Sequence, residues 1–220
     1  MGFNGHDPRL IIFDLDGTLV DSRRDLANSA NHLLADYRRP PLDDQVVIAM
    51  VGEGARTLVA RVMQTGGATG DVDQALARFL DIYDGKLVDH THLYPGVADG
   101  LARLASRLPL GVLTNKPQVH TDRLLAHFDL DRFFCGVIGG DTVLGRKPDP
   151  AGLHSLARTA GVDVAEALMV GDSWVDVDTA RRAGARVCFA DYGFGQAPPG
   201  GLLDGEARVG SFGALVSMIE

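Results

Sequence analysis

Five short, largely apolar runs constrain the fold of this chain more than any other feature: Leu10–Phe13, Leu110–Leu113, Cys135–Ile138, Ala167–Val170 and Arg186–Phe189. None is long enough to alternate clearly, and stretches with helical spacing lie between most of them. Val97, Leu101, Leu104 and Leu108 recur at that spacing, as do Leu124, Leu125 and Phe128, and Leu153, Leu156 and Ala157. Asp149-Pro150 reads as an N-cap acid followed by proline in the first turn of the last of these helices. Buried strands alternating with amphipathic helices predict an α/β fold, a parallel sheet covered on both faces.

One interval breaks the rhythm. Residues 14–109 separate the first run from the second and read as helical. Ser22 with Asp25 resembles a capping box, and Leu26, Ala30, Leu33, Leu34 and Tyr37 follow as one stripe. Leu58, Val59, Val62 and Met63 form a second stripe, and Leu76, Phe79, Leu80 and Tyr83 a third. RRPPLDD and TGGATGD are the turns between them. A small domain of three or four helices, residues 21–92, is therefore expected inside a core made of 1–20 and 93–220, with LYPGV (93–97) as the return hinge.

The net charge of −8 disfavours nucleic-acid binding, which needs clustered Lys and Arg. No apolar stretch is long enough to span a membrane. MGFNGHDPRL lacks a basic start and an apolar h-region, so no secretory leader and a cytoplasmic protein are expected. Cys135 and Cys188 lie in strand-like stretches and read as reduced, buried residues.

In parallel α/β sheets ligands bind beyond the carboxyl ends of the strands. Asp14, Asp16, Gly17 and Thr18 follow the first run, and Thr114, Asn115 and Lys116 the second. Gly171, Asp172, Ser173 and Asp176 follow the fourth, and Lys147, in GRKPDP, stands ahead of the helix before it. Asp14 and Asp16, two apart at a strand end, can face one side. Like charges about 4 Å apart cost on the order of 4 kcal/mol at an effective dielectric of ~20. A divalent cation relieves that, and all-oxygen ligands with few protein contacts suit Mg²⁺ shared with phosphate. Lys147 adds positive charge, Gly17 lets backbone N–H groups turn toward an anion, and Thr114 and Asn115 add neutral donors. A carboxylate beside a metal-bound phosphoryl group can attack it in line. Asp14, nearer the strand, is the expected nucleophile. Asp16 is expected to protonate the leaving alkoxide and later take a proton from water.

DLDGTLVDS, TNK, KPDP and GDSWVD resemble, in order, the four motifs of the haloacid dehalogenase-like hydrolases, over nearly the whole chain. The resemblance implies a Rossmann-like core with a helical cap inserted after the first strand. It implies Mg²⁺ held by the Asp14 side chain, the Asp16 carbonyl and Asp172, with Asp176 supporting the metal site. Thr114 and Lys147 would hold the phosphoryl group. LYPGV, VGEGARTLV and YGFG (192–195) are similar to the phosphoglycolate phosphatases, which implies a small phosphate ester, 2-phosphoglycolate, as substrate. Where the fourth motif usually carries Asn this chain has Val175. Sugar-phosphate phosphatases, pyrophosphatases and phosphomutases of the same superfamily are alternatives, and a phospho-accepting receiver-like module is one from another class.

Other residues weigh less. His90 and His92 form an H-x-H without neighbouring ligands, so a solvated turn is the expectation. Gly52-Glu53-Gly54 reads as a break between two helices or a loop lowered over the substrate; Arg56 at its edge is a candidate for meeting a substrate carboxylate, against the alternative of a solvated arginine. Nothing in the sequence sets an oligomeric state.

Overall fold

The computed structural model describes residues 7–220. Residues 1–6, which begin the segment 1–20 and on which the expectation of no leader rests, lie outside the described residues. Strand β1 (Leu10–Phe13) is fully buried and sits inside a six-stranded parallel sheet. Its other members are β4 (Leu110–Leu113), β5 (Phe134–Ile138), β6 (Ala167–Gly171), β7 (Arg186–Ala190) and β8 (Ala207–Val209). The order is β5-β4-β1-β6-β7-β8, so the chain winds outward from β1 in both directions. Such a reversal opens a crevice at the carboxyl ends of the central strands. The register brings those ends level: Phe13 pairs with Val112 on one side and Val170 on the other. Asp14, Thr114 and Asp172 therefore emerge side by side.

Alternation along β1 divides the core. Ile11 and Phe13 pack with α5 (Val97–Ala105), α6 (Gln118–His127) and α9 (Phe212–Ile219). Leu10 and Ile12 pack with α7 (Ala151–Ala160) and α8 (Trp174–Ala183). Each of these four side chains stabilises the fold by about 2 kcal/mol through burial. The predicted α/β fold with helices on both faces is the fold observed. The Asp149 carboxylate accepts from the N–H of Ala151, the first residue of α7, but the N-cap is Pro150 and not Asp149 as expected. Cys188 is buried, but Cys135 is exposed, because β5 is the sheet's edge.

A two-stranded antiparallel ribbon, β2 (Val20–Asp21) with β3 (His92–Leu93), leads out of and back into the sheet. Between them run α1 (Arg23–Asp36), α2 (Asp44–Ile48), α3 (Ala55–Thr65) and α4 (Val72–Asp84). Helix α1 packs on the other three through Leu26, Ala30, Leu33 and Leu34, and this apolar interior is continuous with the Phe13 face of the sheet. Ser22 and Asp25 do not form the predicted capping box. The Ser22 hydroxyl donates to Asp16, and Asp25 Oδ2 accepts from the N–H groups of His90 and Thr91 and from the Thr91 hydroxyl. A tertiary use has displaced a local one: Asp25 ties the start of α1 to the returning ribbon. His90 and His92 are exposed.

Candidate active site

Asp14 follows β1 directly, and its N–H donates to the carbonyl of Val170. Its Oδ1 lies 2.7 Å from Lys147 Nζ, which also donates to Asp176 Oδ1 at 2.5 Å. Asp176 completes a capping box at the start of α8, its Oδ2 accepting from the N–H and hydroxyl of Ser173. Asp14, Asp172 and Asp176 present oxygens within 4.8 Å of one another, all buried. Burial, with added repulsion from Asp176 and Asp16, raises Asp14 from the ordinary 3.8 to about 6 against the pull of Lys147. Asp172 lies well above the usual carboxylate range, first from burial and then from Asp14 and Asp176. Burial alone would lower the Lys147 ammonium, but Asp14 and Asp176 beside it raise it, so it stays charged. Three carboxylates against one ammonium is an excess of negative charge in a dry place. A hard divalent cation with oxygen ligands fits that donor set.

Asp16 belongs to a different cluster. The chain leaves extended geometry after β1, so the strand's alternation no longer applies and the carboxylates of Asp14 and Asp16 part company. Lys116 Nζ donates to both oxygens of Asp16, 3.0 Å each, and to the hydroxyl of Tyr83 on α4 at 2.6 Å. The Ser22 hydroxyl donates to Asp16 Oδ1 at 2.6 Å. Burial would lower Lys116, yet Asp16 and Tyr83 raise it. A narrow cleft opens above, with Asp14, Asp16, Thr114 and Lys116 on the sheet side and Leu58 and Phe79 on the helical side.

The structure thus gathers Asp14, Asp16, Thr114, Asn115, Lys147, Asp172 and Asp176 at one rim. Asn115 is not a free donor as expected: its Nδ2 already donates to the carbonyls of Gly52 and Lys147. Gly17 does not turn its N–H to an anion either, since that group donates to Val20 and the next, of Thr18, to Leu15. Glycine is needed there for another reason. Its φ is +89°, and a Cβ would stand 1.9 Å from Asp172 Oδ2. Arg56 lies away from the cleft, exposed and paired with Asp73 at 2.8 Å, because α3 turns its side chain toward α4's first turn. Val175 is buried, and its carbonyl accepts from the Thr179 hydroxyl.

Three contributors carry no role of their own in the sequence reading. Lys116 is named there after the second run, beside Thr114 and Asn115, without one. Tyr83 reads as one more apolar position of α4. The loop after β7 covers Asp172, whose Oδ2 accepts from the N–H groups of Phe194 and Gly195, while the Tyr192 hydroxyl donates to the Thr18 carbonyl. Applying the strand-end rule to β7 as well finds that loop.

Residues 11–190 match the family model described as haloacid dehalogenase-like hydrolase. A phosphoglycolate phosphatase of Rhodospirillum rubrum is 44% identical over 204 residues, 89% of this chain and 84% of the relative. One of Pseudomonas putida is 41% identical over 203 residues, 90% of this chain and 74% of its own length. Among solved structures, a predicted phosphoglycolate phosphatase from Haemophilus somnus 129pt superposes with a TM-score of 0.90 at 30% identity, covering 99% of this chain and 100% of that one. Motifs, sheet order and these likenesses agree, and the chain belongs to the haloacid dehalogenase-like hydrolases.

Proposed function

We propose that the chain is a Mg²⁺-dependent phosphomonoester hydrolase that works through an aspartyl-phosphate on Asp14, with 2-phosphoglycolate as its substrate. The observation that carries this reading is the pairing of two neighbouring aspartates with two separate buried lysines below one cleft. Asp14, fixed between Lys147 and the sheet, attacks phosphorus in line, and the bond to the alkoxide oxygen breaks. Asp16 gives its proton to that oxygen. Water then attacks the aspartyl-phosphate, Asp16 takes its proton, and phosphate leaves. Thr114 and Lys147 hold the phosphoryl oxygens. Asp14, Asp172 and the Asp16 carbonyl would hold Mg²⁺ with Asp176 behind them, and the cation would supply positive charge beside the transferring group. Helices α1–α4, within residues 21–92, act as a cap that excludes bulk water. Leu58 and Phe79 give the cleft an apolar wall on its helical side. The relatives' shared name supports 2-phosphoglycolate over other esters.

The test is phosphate release, with Mg²⁺, from a panel holding 2-phosphoglycolate, sugar phosphates and diphosphate. 2-Phosphoglycolate should give the highest kcat/KM, and Asp14→Asn should reduce turnover by about 10⁴-fold or more, as loss of a covalent nucleophile does. Turnover by that variant near the wild-type rate would falsify the nucleophile. A preference for diphosphate or a sugar phosphate would reassign the substrate.

A further inference from the structure

The residues that hold Asp16 come from both sides of the cleft. Lys116, at the tip of β4, spans both carboxylate oxygens; Ser22, just ahead of α1, takes one of them. The same ammonium donates to Tyr83 on α4. Tyr83 is itself fixed, its ring 5.9 Å from Phe79 and 5.5 Å from His120 of α6. The next residue, Asp84, pairs with Arg123 of α6. Helix α4 is therefore anchored to the sheet's own helix layer at the point where it reaches the lysine. With both its oxygens engaged by Lys116, the Asp16 carboxylate is held apart from the Asp14, Asp172 and Asp176 cluster, at the lining of the cleft.

We propose that Lys116 is a positioning residue for Asp16, and that Tyr83 makes this positioning depend on the placement of α4. This rests on the phosphatase reading above. Lys116 acts through Asp16 on the proton delivered as the phosphorus–oxygen bond breaks, and so matters in proportion to how much the leaving group needs that proton. With α4 seated on α6, the tyrosine oxygen steadies the lysine and, through it, the orientation of Asp16.

The experiment compares kcat/KM on an alkyl phosphate, 2-phosphoglycolate, with that on para-nitrophenyl phosphate, whose phenolate leaves without a proton. Lys116→Met is expected to lose about 100-fold on the alkyl ester, the scale of general acid catalysis, and less than about tenfold on the aryl ester. Tyr83→Phe keeps the ring packing and loses only the hydroxyl. It should show the same selectivity at about three- to tenfold, the scale of one hydrogen bond. Equal losses on both esters in both variants would overturn the positioning role, as would a higher KM for 2-phosphoglycolate with kcat unchanged, which marks a direct substrate contact. A wild-type protein inactive on both esters would overturn the phosphatase reading as well, so the two failures are distinguishable.

Discussion

Asp14 and Asp16 are two residues apart and each meets a buried lysine, yet the two pairs are built from different parts of the chain. Lys147 is shared between Asp14 and Asp176, so the carboxylates it meets come from the end of β1 and the first turn of α8, both outside the helical insert. Lys116 meets one carboxylate, and its remaining partner, Tyr83, comes from the helical insert. The first cluster carries unbalanced negative charge and lies within the core. The second is balanced and straddles the boundary between sheet and helices. On the proposed mechanism the difference separates two tasks. Binding phosphate and a cation needs a fixed geometry with charge to spare. Moving a proton at the right time needs a group that responds to what lies over the cleft.

Removing each lysine is the strongest way to break this distinction. Lys147→Met should lower kcat/KM by about 10³-fold or more, the scale of losing a donor to the developing charge. The loss should be the same for alkyl and aryl esters, because phosphate is held in both. It should also lower the thermal midpoint, since two buried carboxylates, Asp14 and Asp176, would be left without their ammonium, a change of about 3 kcal/mol or more. If the loss in Lys147→Met depended on the leaving group as in Lys116→Met, the two clusters would share one task.

The charge imbalance gives a smaller effect that sets the clusters apart by pH. In the metal-free fold Asp14 is raised from the ordinary 3.8 to about 6, so the folded chain keeps a proton that the unfolded chain releases. Its contribution to stability is present in full below the lower value and is lost as the pH rises through about 6. A cation reverses this, because it binds the ionised carboxylates and competes with protons. Saturating Mg²⁺ should raise the thermal midpoint at about pH 7.5, by the equivalent of ~3 kcal/mol at a hundredfold excess over Kd, and by clearly less at about pH 5. Asp14→Asn should shrink the difference between the two pH values, measured as melting curves with Mg²⁺ and with a chelator. An equal shift at both would mean that the cluster does not hold the cation.

The sheet cluster was the more legible of the two, for a physical reason. Parallel strands in register bring their ends to one edge, so reading the residue after each run finds Asp14, Thr114 and Asp172 without coordinates. The helical side has no such rule. Tyr83 sits at helical spacing among Leu76, Phe79 and Leu80, and nothing local shows that its hydroxyl meets a lysine on another element. The capping box at Ser22 failed for the same reason: long-range partners took both side chains. Arg56 shows the converse, a plausible charge beside a loop that touches the site, spent on a neighbouring helix. Strand β8 has no counterpart among the runs because three residues after a Gly- and Pro-rich loop carry no pattern long enough to read.

Asn115 tests whether the two clusters are joined by more than the backbone between them. Its side-chain amide donates to the Lys147 carbonyl at 3.0 Å, behind the first cluster, and to the Gly52 carbonyl at 2.9 Å, on the loop between α2 and α3. Asn115→Ala removes both, at about 1 kcal/mol each, which makes a fall of roughly tenfold in kcat/KM the expected result. Because Asn115 touches neither aspartate's carboxylate, that fall should not depend on the leaving group. Arg56→Ala, on the helical side and paired with exposed Asp73, should leave kcat/KM unchanged for 2-phosphoglycolate. A loss in Arg56→Ala confined to a higher KM would mean that α3 turns this arginine inward on substrate. The helical side would then contribute charge as well as placement, and the contrast between the clusters would narrow to the origin of their lysines.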